Sequence, residues 1–209
     1  MLFDLMDTVL RDPYREAIEA GTGLPLAEAL PLRDPRSWPE FEVAAIDEAE
    51  FARRFFGAAR GETREAAPTE ASAPSAPSAP AFDLAAFHRA RREGYAFLPG
   101  VRPLLEALRG RVRTFVASNY PIWIEEVRIT HQLDALFDGV YASHHFRVRK
   151  PSRAFYERLL EAIALPAEDC LFVDDRAANC EGAARLGMRT HVFVDAETLR
   201  AALIAEGLL

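Results

Sequence analysis

The sequence predicts an α/β fold: a parallel sheet sandwiched between helices, with a separate all-helical stretch inserted near its start. From Tyr95 onward, short apolar runs alternate with amphipathic helical patterns. The runs are apolar at consecutive positions, which marks strands buried on both faces rather than half-exposed ones. Residues 13–94, by contrast, read as helical and are interrupted by a low-complexity insert. A chain of 209 residues, 50% hydrophobic and 27% charged, has room for one sizeable core plus a small accessory unit.

Taken in order, Met1–Phe3 supplies a short first strand. Asp47-Glu-Ala-Glu50 has capping-box spacing and opens an amphipathic run through Phe51, Phe55 and Phe56, which with Phe41 form the core of the helical stretch. Glu62–Ala81 repeats Ser-Ala-Pro without aromatic or β-branched apolar residues, so it reads as a flexible linker or long surface loop. Phe82–Glu93 is helical again. Strands are then expected at Thr114–Ala117, Gly139–Ala142, Cys170–Val173 and Thr190–Val194. Helices are expected at Pro103–Leu108, Ile122–Leu136, Ser152–Ala164 behind an N-cap serine, Ala177–Leu186 and Ala196–Glu206.

Composition excludes several classes. Net charge is -7, which argues against an extended footprint on nucleic acid or an anionic membrane. No stretch approaches the roughly 20 apolar residues of a membrane helix. Two cysteines, Cys170 and Cys180, build no disulfide framework, and Asp4 and Asp7 interrupt the first apolar run, so it reads as neither a signal nor a transit peptide. A cytoplasmic address is expected; oligomeric state is not legible.

In an open α/β sheet, ligands collect at the carboxyl ends of the strands. Asp4 follows the first run, Ser118 and Asn119 the second, and Asp174-Asp175 the fourth, while Lys150 lies beyond the third. Lys150 is the only lysine among 25 basic residues. An ammonium is a compact, titratable point charge, which a guanidinium is not, and the difference matters most in active sites. Adjacent carboxylates repel unless a cation holds them, so Asp174 and Asp175 with Asp4 form a hard oxygen site suited to Mg²⁺. His144 and His145 project in opposite directions and do not suit one ion. Cys180 reads as a packed small hydrophobe.

FDLMDTV at Phe3–Val9, ASN at Ala117–Asn119, RKP at Arg149–Pro151 and FVDDRAANCEGA at Phe172–Ala183 resemble, in order and spacing, the four motifs of the haloacid dehalogenase superfamily. The resemblance implies a Rossmann-like core (residues 1–12 and 95–209) with an inserted helical cap (residues 13–94). It implies Asp4 as nucleophile, Ser118 as a hydrogen-bond donor to the transferring group, and Lys150 as charge neutraliser. Asp4, Asp175 and the backbone carbonyl of Met6 would hold Mg²⁺, with Asp174 as a second ligand or an outer-shell anchor; Thr8, in the place of the family's turn-stabilising hydroxyl, Asn119 and Arg11 would lie around a small phosphorylated substrate.

The sequence departs from that pattern at Met6, where the family's phosphatases carry a second aspartate that shuttles the leaving-group proton. A thioether cannot do this, which leaves three alternatives: the adjacent Asp7 takes over the proton, a cap residue does, or the substrate has a leaving group that needs little protonation. The resulting expectation is a Mg²⁺-dependent phosphatase working through an aspartyl-phosphate. Two alternatives stand beside it: a catalytically weakened binding or regulatory protein, and a 2-haloacid dehalogenase, which the Asp174-Asp175 pair disfavours.

Overall fold

The computed structural model describes residues 1–57 and 82–209, so the expected linker at Glu62–Ala81 lies outside the described residues. These divide into two units: residues 1–12, 42–45 and 95–209 form one, and residues 13–41 and 46–94 the other. Glu42–Ala45 thus group with the first unit although the helical stretch of the sequence surrounds them.

The first unit is built on a five-stranded, all-parallel sheet of β1 (Leu2–Phe3), β2 (Phe115–Ser118), β3 (Gly139–Ala142), β4 (Leu171–Asp174) and β5 (Arg189–Val192), in the order β3-β2-β1-β4-β5. Only two residues long, β1 is nevertheless central: Phe3 registers with Val116 on one side and Val173 on the other. β1, β2 and β4 are buried throughout, as runs apolar at consecutive positions require. Strand order reverses between β1 and β4, and there the first unit gathers its polar strand ends.

Helices α6 (Val101–Leu108), α7 (Ile124–Thr130), α8 (Ser143–Phe146), α9 (Arg153–Ile163), α10 (Ala177–Ala184) and α11 (Ala196–Ala205) connect and follow the strands. In α9, Phe155, Tyr156, Leu159 and Ile163 are buried on one stripe, packing with Leu2, Phe115 and Phe172 of the sheet. The second unit holds α1 (Tyr14–Thr22), α2 (Leu26–Leu32), α4 (Glu48–Arg54) and α5 (Leu84–Gly94), with α3 (Ser37–Glu42) ending at its boundary. Asp47 caps α4 by accepting the Glu50 N–H at 2.7 Å. Phe51 and Phe55 are fully buried, with Phe41 stacked on Phe51 and Phe82 on Phe55. Among the described residues no helix is long and apolar enough to cross a membrane.

Three local expectations need correction. The fifth strand is not buried on both faces: Arg189, Thr190 and Val192 are exposed, because β5 is the sheet edge. The single helix expected over Ile122–Leu136 ends at Thr130, and Gln132, with φ +53°, turns the chain into a 3₁₀ segment at Leu133–Ala135. Ser152 occupies the N-cap of α9 but makes no side-chain capping bond.

One close approach fixes how α10 meets α9. A Cβ at Gly182 would lie 2.9 Å from Tyr156 Cε2 and 3.0 Å from the Pro151 carbonyl oxygen. Gly182→Ala is therefore expected to destabilise the protein by about 1–3 kcal/mol through overpacking. Urea titration measures the shift, and an unchanged midpoint would contradict the packing argument.

Candidate active site

The strand ends converge as the topology requires. Asp4 extends β1 by one residue, its N–H donating to the Val173 carbonyl at 2.8 Å, which sets its carboxylate beside the end of β4. Lys150 enters from the loop between α8 and α9, and its Nζ donates to Asp4 Oδ1 at 2.7 Å and to Asp174 Oδ2 at 2.6 Å. Phe172 lies below, its ring centroid 5.3 Å from the ammonium. Lys150 is 2% exposed, Asp4 7% and Asp174 0%, so this is a triad taken almost wholly out of water.

Asp174 is heavily engaged. Besides Lys150, it receives the Arg176 N–H at 2.9 Å and the Asn179 amide, which lies 2.9 and 3.0 Å from its two oxygens. Asn179 is anchored in turn by its carbonyl, which accepts the Tyr156 hydroxyl at 2.7 Å. Tyr156 was not legible as a site residue, since its i, i+3, i+4 spacing on α9 signals only the core. Asp175 is half-buried, and its N–H donates to Thr8 Oγ1 at 3.1 Å. Asp4, Asp174 and Asp175 each offer a carboxylate oxygen within 4.8 Å of the others. Three carboxylates that close, with only oxygen donors, fit a hard divalent ion such as Mg²⁺.

Burial pushes Asp4 up to about 7, opposed by Lys150 and assisted by the charge of Asp174. For Lys150, burial pulls downward, but Asp4 and Asp174 together override it and hold the ammonium above the ordinary lysine value. Asp175 is raised by burial and then by Asp174 and, more weakly, by Asp7. Three carboxylates thus face one ammonium and Asp4 and Asp175 resist ionisation, a penalty that a divalent cation between them would relieve. Cys180 is pushed up to about 11, chiefly by burial, and so stays a thiol.

The remaining residues fall as follows. Ser118 is the last residue of β2 and is buried. Thr8 does not face outward but holds the Asp175 backbone. Asn119 turns its side-chain amide onto the backbone of Lys150, accepting its N–H at 2.8 Å and donating to its carbonyl at 3.0 Å. Met6 is 9% exposed and bridges to Leu10. Asp7 is exposed, takes the left-handed φ of +58°, and accepts the Asp12 N–H on Oδ1 at 3.0 Å. Arg11 is exposed, its N–H donating to the Ala96 carbonyl at 2.8 Å. His145 has a structural part, its Nδ1 accepting the Ala142 N–H at 3.1 Å and its Nε2 meeting Glu125 at 2.8 Å.

The sequence profile of the haloacid dehalogenase-like hydrolases matches residues 1–187. A chloroplast flavin mononucleotide hydrolase of Arabidopsis thaliana is 32% identical over 202 residues, 95% of this chain and 74% of the plant protein. A haloacid dehalogenase-like protein of Porphyromonas gingivalis shares the fold at TM-score 0.72 and 22% identity, covering 98% of this chain and 95% of that one. A Bacteroides thetaiotaomicron enzyme crystallised with magnesium and inorganic phosphate does so at TM-score 0.67 and 18% identity, covering 93% of each chain.

Proposed function

From the premise that this chain belongs to the haloacid dehalogenase-like hydrolases, we propose that it is a Mg²⁺-dependent phosphatase that cleaves a small phosphomonoester through an aspartyl-phosphate on Asp4. One observation carries this reading above the others: a buried ammonium shared between Asp4 and Asp174, beside a third carboxylate within 4.8 Å. Halide displacement has no use for that excess of carboxylates, whereas phosphoryl transfer depends on charge held in place. The plant relative's name makes flavin mononucleotide the first substrate to assay.

Asp4 Oδ attacks phosphorus as the bond to the leaving alcohol's oxygen breaks, and water then hydrolyses the acyl-phosphate, releasing inorganic phosphate and restoring the carboxylate, so one difficult displacement becomes two easier ones. Lys150 neutralises the phosphoryl oxygens and, before substrate arrives, keeps Asp4 oriented. Ser118 donates to the transferring group. Asp174 holds the ammonium, with Asn179 and the Arg176 N–H fixing its plane. The carboxylates of Asp4 and Asp175 and the carbonyl of Met6 would hold Mg²⁺; when bound, the ion supplies screening between Asp4 and an anionic substrate. Because Met6 has no exchangeable proton, the leaving-group proton falls to Asp7. Its Oδ1 accepts the Asp12 N–H at 3.0 Å, which leaves Oδ2 for the proton.

The test is phosphate release from flavin mononucleotide with Mg²⁺ and with EDTA, alongside Asp175→Asn. Both EDTA and the substitution are expected to reduce turnover by at least roughly 10²-fold. Isothermal calorimetry should show Mg²⁺ uptake by the wild type and a loss of it in the variant. Turnover indifferent to EDTA would overturn the metal-dependent reading. For the proton, Asp7→Asn is expected to slow hydrolysis by about 10²–10⁴-fold; turnover equal to wild type would free Asp7 of that part.

A further inference from the structure

We propose that Asn119 is a positioning residue for Lys150, acting on the lysine's backbone rather than on substrate; this rests on the phosphatase reading above. Its carboxamide closes on both polar backbone groups of a single residue: Oδ1 accepts the Lys150 N–H at 2.8 Å and Nδ2 donates to the Lys150 carbonyl at 3.0 Å. Lys150 sits in a connection outside any helix or strand, where no ladder supplies those bonds.

The clamp has a mechanical consequence. Asn119 directly follows Ser118, so it ties the end of β2 to a loop 31 residues further on and sets two functional side chains from different connections in register. A lysine side chain has a flexible four-carbon stem, and its ammonium keeps a fixed place only when both ends are held. Asp4 and Asp174 hold the ammonium, and Asn119 holds the backbone. Because Lys150 is the only lysine of the chain, no second lysine takes over if it drifts. The pairing also explains why an amide suits this position: a carboxylate would keep the acceptor and lose the donor, and alanine would lose both.

Two measurements test this. Since there is one lysine, protein labelled with [¹⁵N]lysine gives a single backbone amide signal, that of the N–H donated to Asn119. In Asn119→Ala its hydrogen-exchange protection is expected to fall by at least about 10-fold while the rest of the sheet keeps its own. Unchanged protection would overturn the clamp, whatever the protein's activity. In turnover, Asn119→Ala is expected to lower kcat by about 10²-fold, Asn119→Asp by less, with KM within roughly 3-fold of wild type. In a Lys150→Ala background the same substitution should cost almost nothing further, because it acts through the lysine. A raised KM with intact kcat would make Asn119 a substrate contact, and equal losses in both backgrounds would make it independent of Lys150; either overturns the proposal. If wild-type protein releases no phosphate from any phosphomonoester, the phosphatase reading fails, and with it the catalytic purpose assigned to the clamp, while the exchange experiment still decides its geometry.

Discussion

Asp4→Asn is expected to abolish phosphate release, a loss of roughly 10⁴-fold or more, while leaving the protein folded. An amide cannot form the acyl-phosphate, and the neighbouring carboxylates have other parts: Asp174 is committed to Lys150, Arg176 and Asn179, and Asp175 is assigned to the metal. The same substitution carries a stability signature of defined sign. Burial raises Asp4 from its ordinary 3.8 to about 7, so the folded state holds that proton more tightly than the unfolded state. Its contribution to stability is therefore fully present below about pH 3.8 and is lost as pH rises towards about 7. Asparagine has no proton to release, so in EDTA the difference between variant and wild type should grow in the variant's favour across that window. Chemical denaturation at pH 5 and pH 7.5 measures it. A difference that stays constant with pH would contradict the burial argument, and retained turnover would remove Asp4 from the chemistry.

Lys150→Met removes the ammonium and keeps much of the stem. It leaves Asp4 and Asp174 buried side by side without their cation, and losing one partner of such a buried arrangement costs about 3–5 kcal/mol. Lys150 is held above the ordinary lysine value of 10.5, so its stabilising charge is present throughout the neutral range and is lost only as pH climbs through that raised value. The deficit should accordingly be largest near neutrality, shrink in acid as Asp4 takes up its proton, and be partly relieved by Mg²⁺. Equilibrium unfolding at pH 5 and pH 7.5, with and without the ion, measures all three. A loss below about 1 kcal/mol, typical of an exposed pair, would mean the triad is better solvated than its burial indicates.

The strands and site residues differed in how much of them could be read in one dimension. β2 and β4 were legible because a strand buried on both faces must be apolar at consecutive positions, and TFVA and CLFV are; GVYA also forms its strand, but as the other edge of the sheet, with Gly139 and Tyr141 only half-buried. THVFV has the same look, yet its strand is an exposed edge, because position in the sheet order is set by pairing partners and leaves no trace in a strand's own letters. Gln132 defeated a helical reading in the same way: its left-handed backbone comes from the turn it must make, where periodicity alone predicted continuation.

For the site, the sequence by itself determined which residue types stand at the strand ends, including the solitary lysine and the paired carboxylates, since a parallel sheet delivers whatever follows each strand to one edge. Only the tertiary structure decided how those groups share their bonds. Asn119 read as a polar neighbour of the substrate from its position, but in the fold it braces Lys150, while Thr8, expected as a turn-stabilising hydroxyl, accepts the Asp175 N–H. Asp174 and Asp175 are neighbours of identical chemistry, yet one is saturated by an ammonium and two amides while the other is left half-buried. The reason is physical: residue type fixes what a group can donate or accept, whereas the partner it finds depends on distances of a few ångströms between segments far apart in the chain.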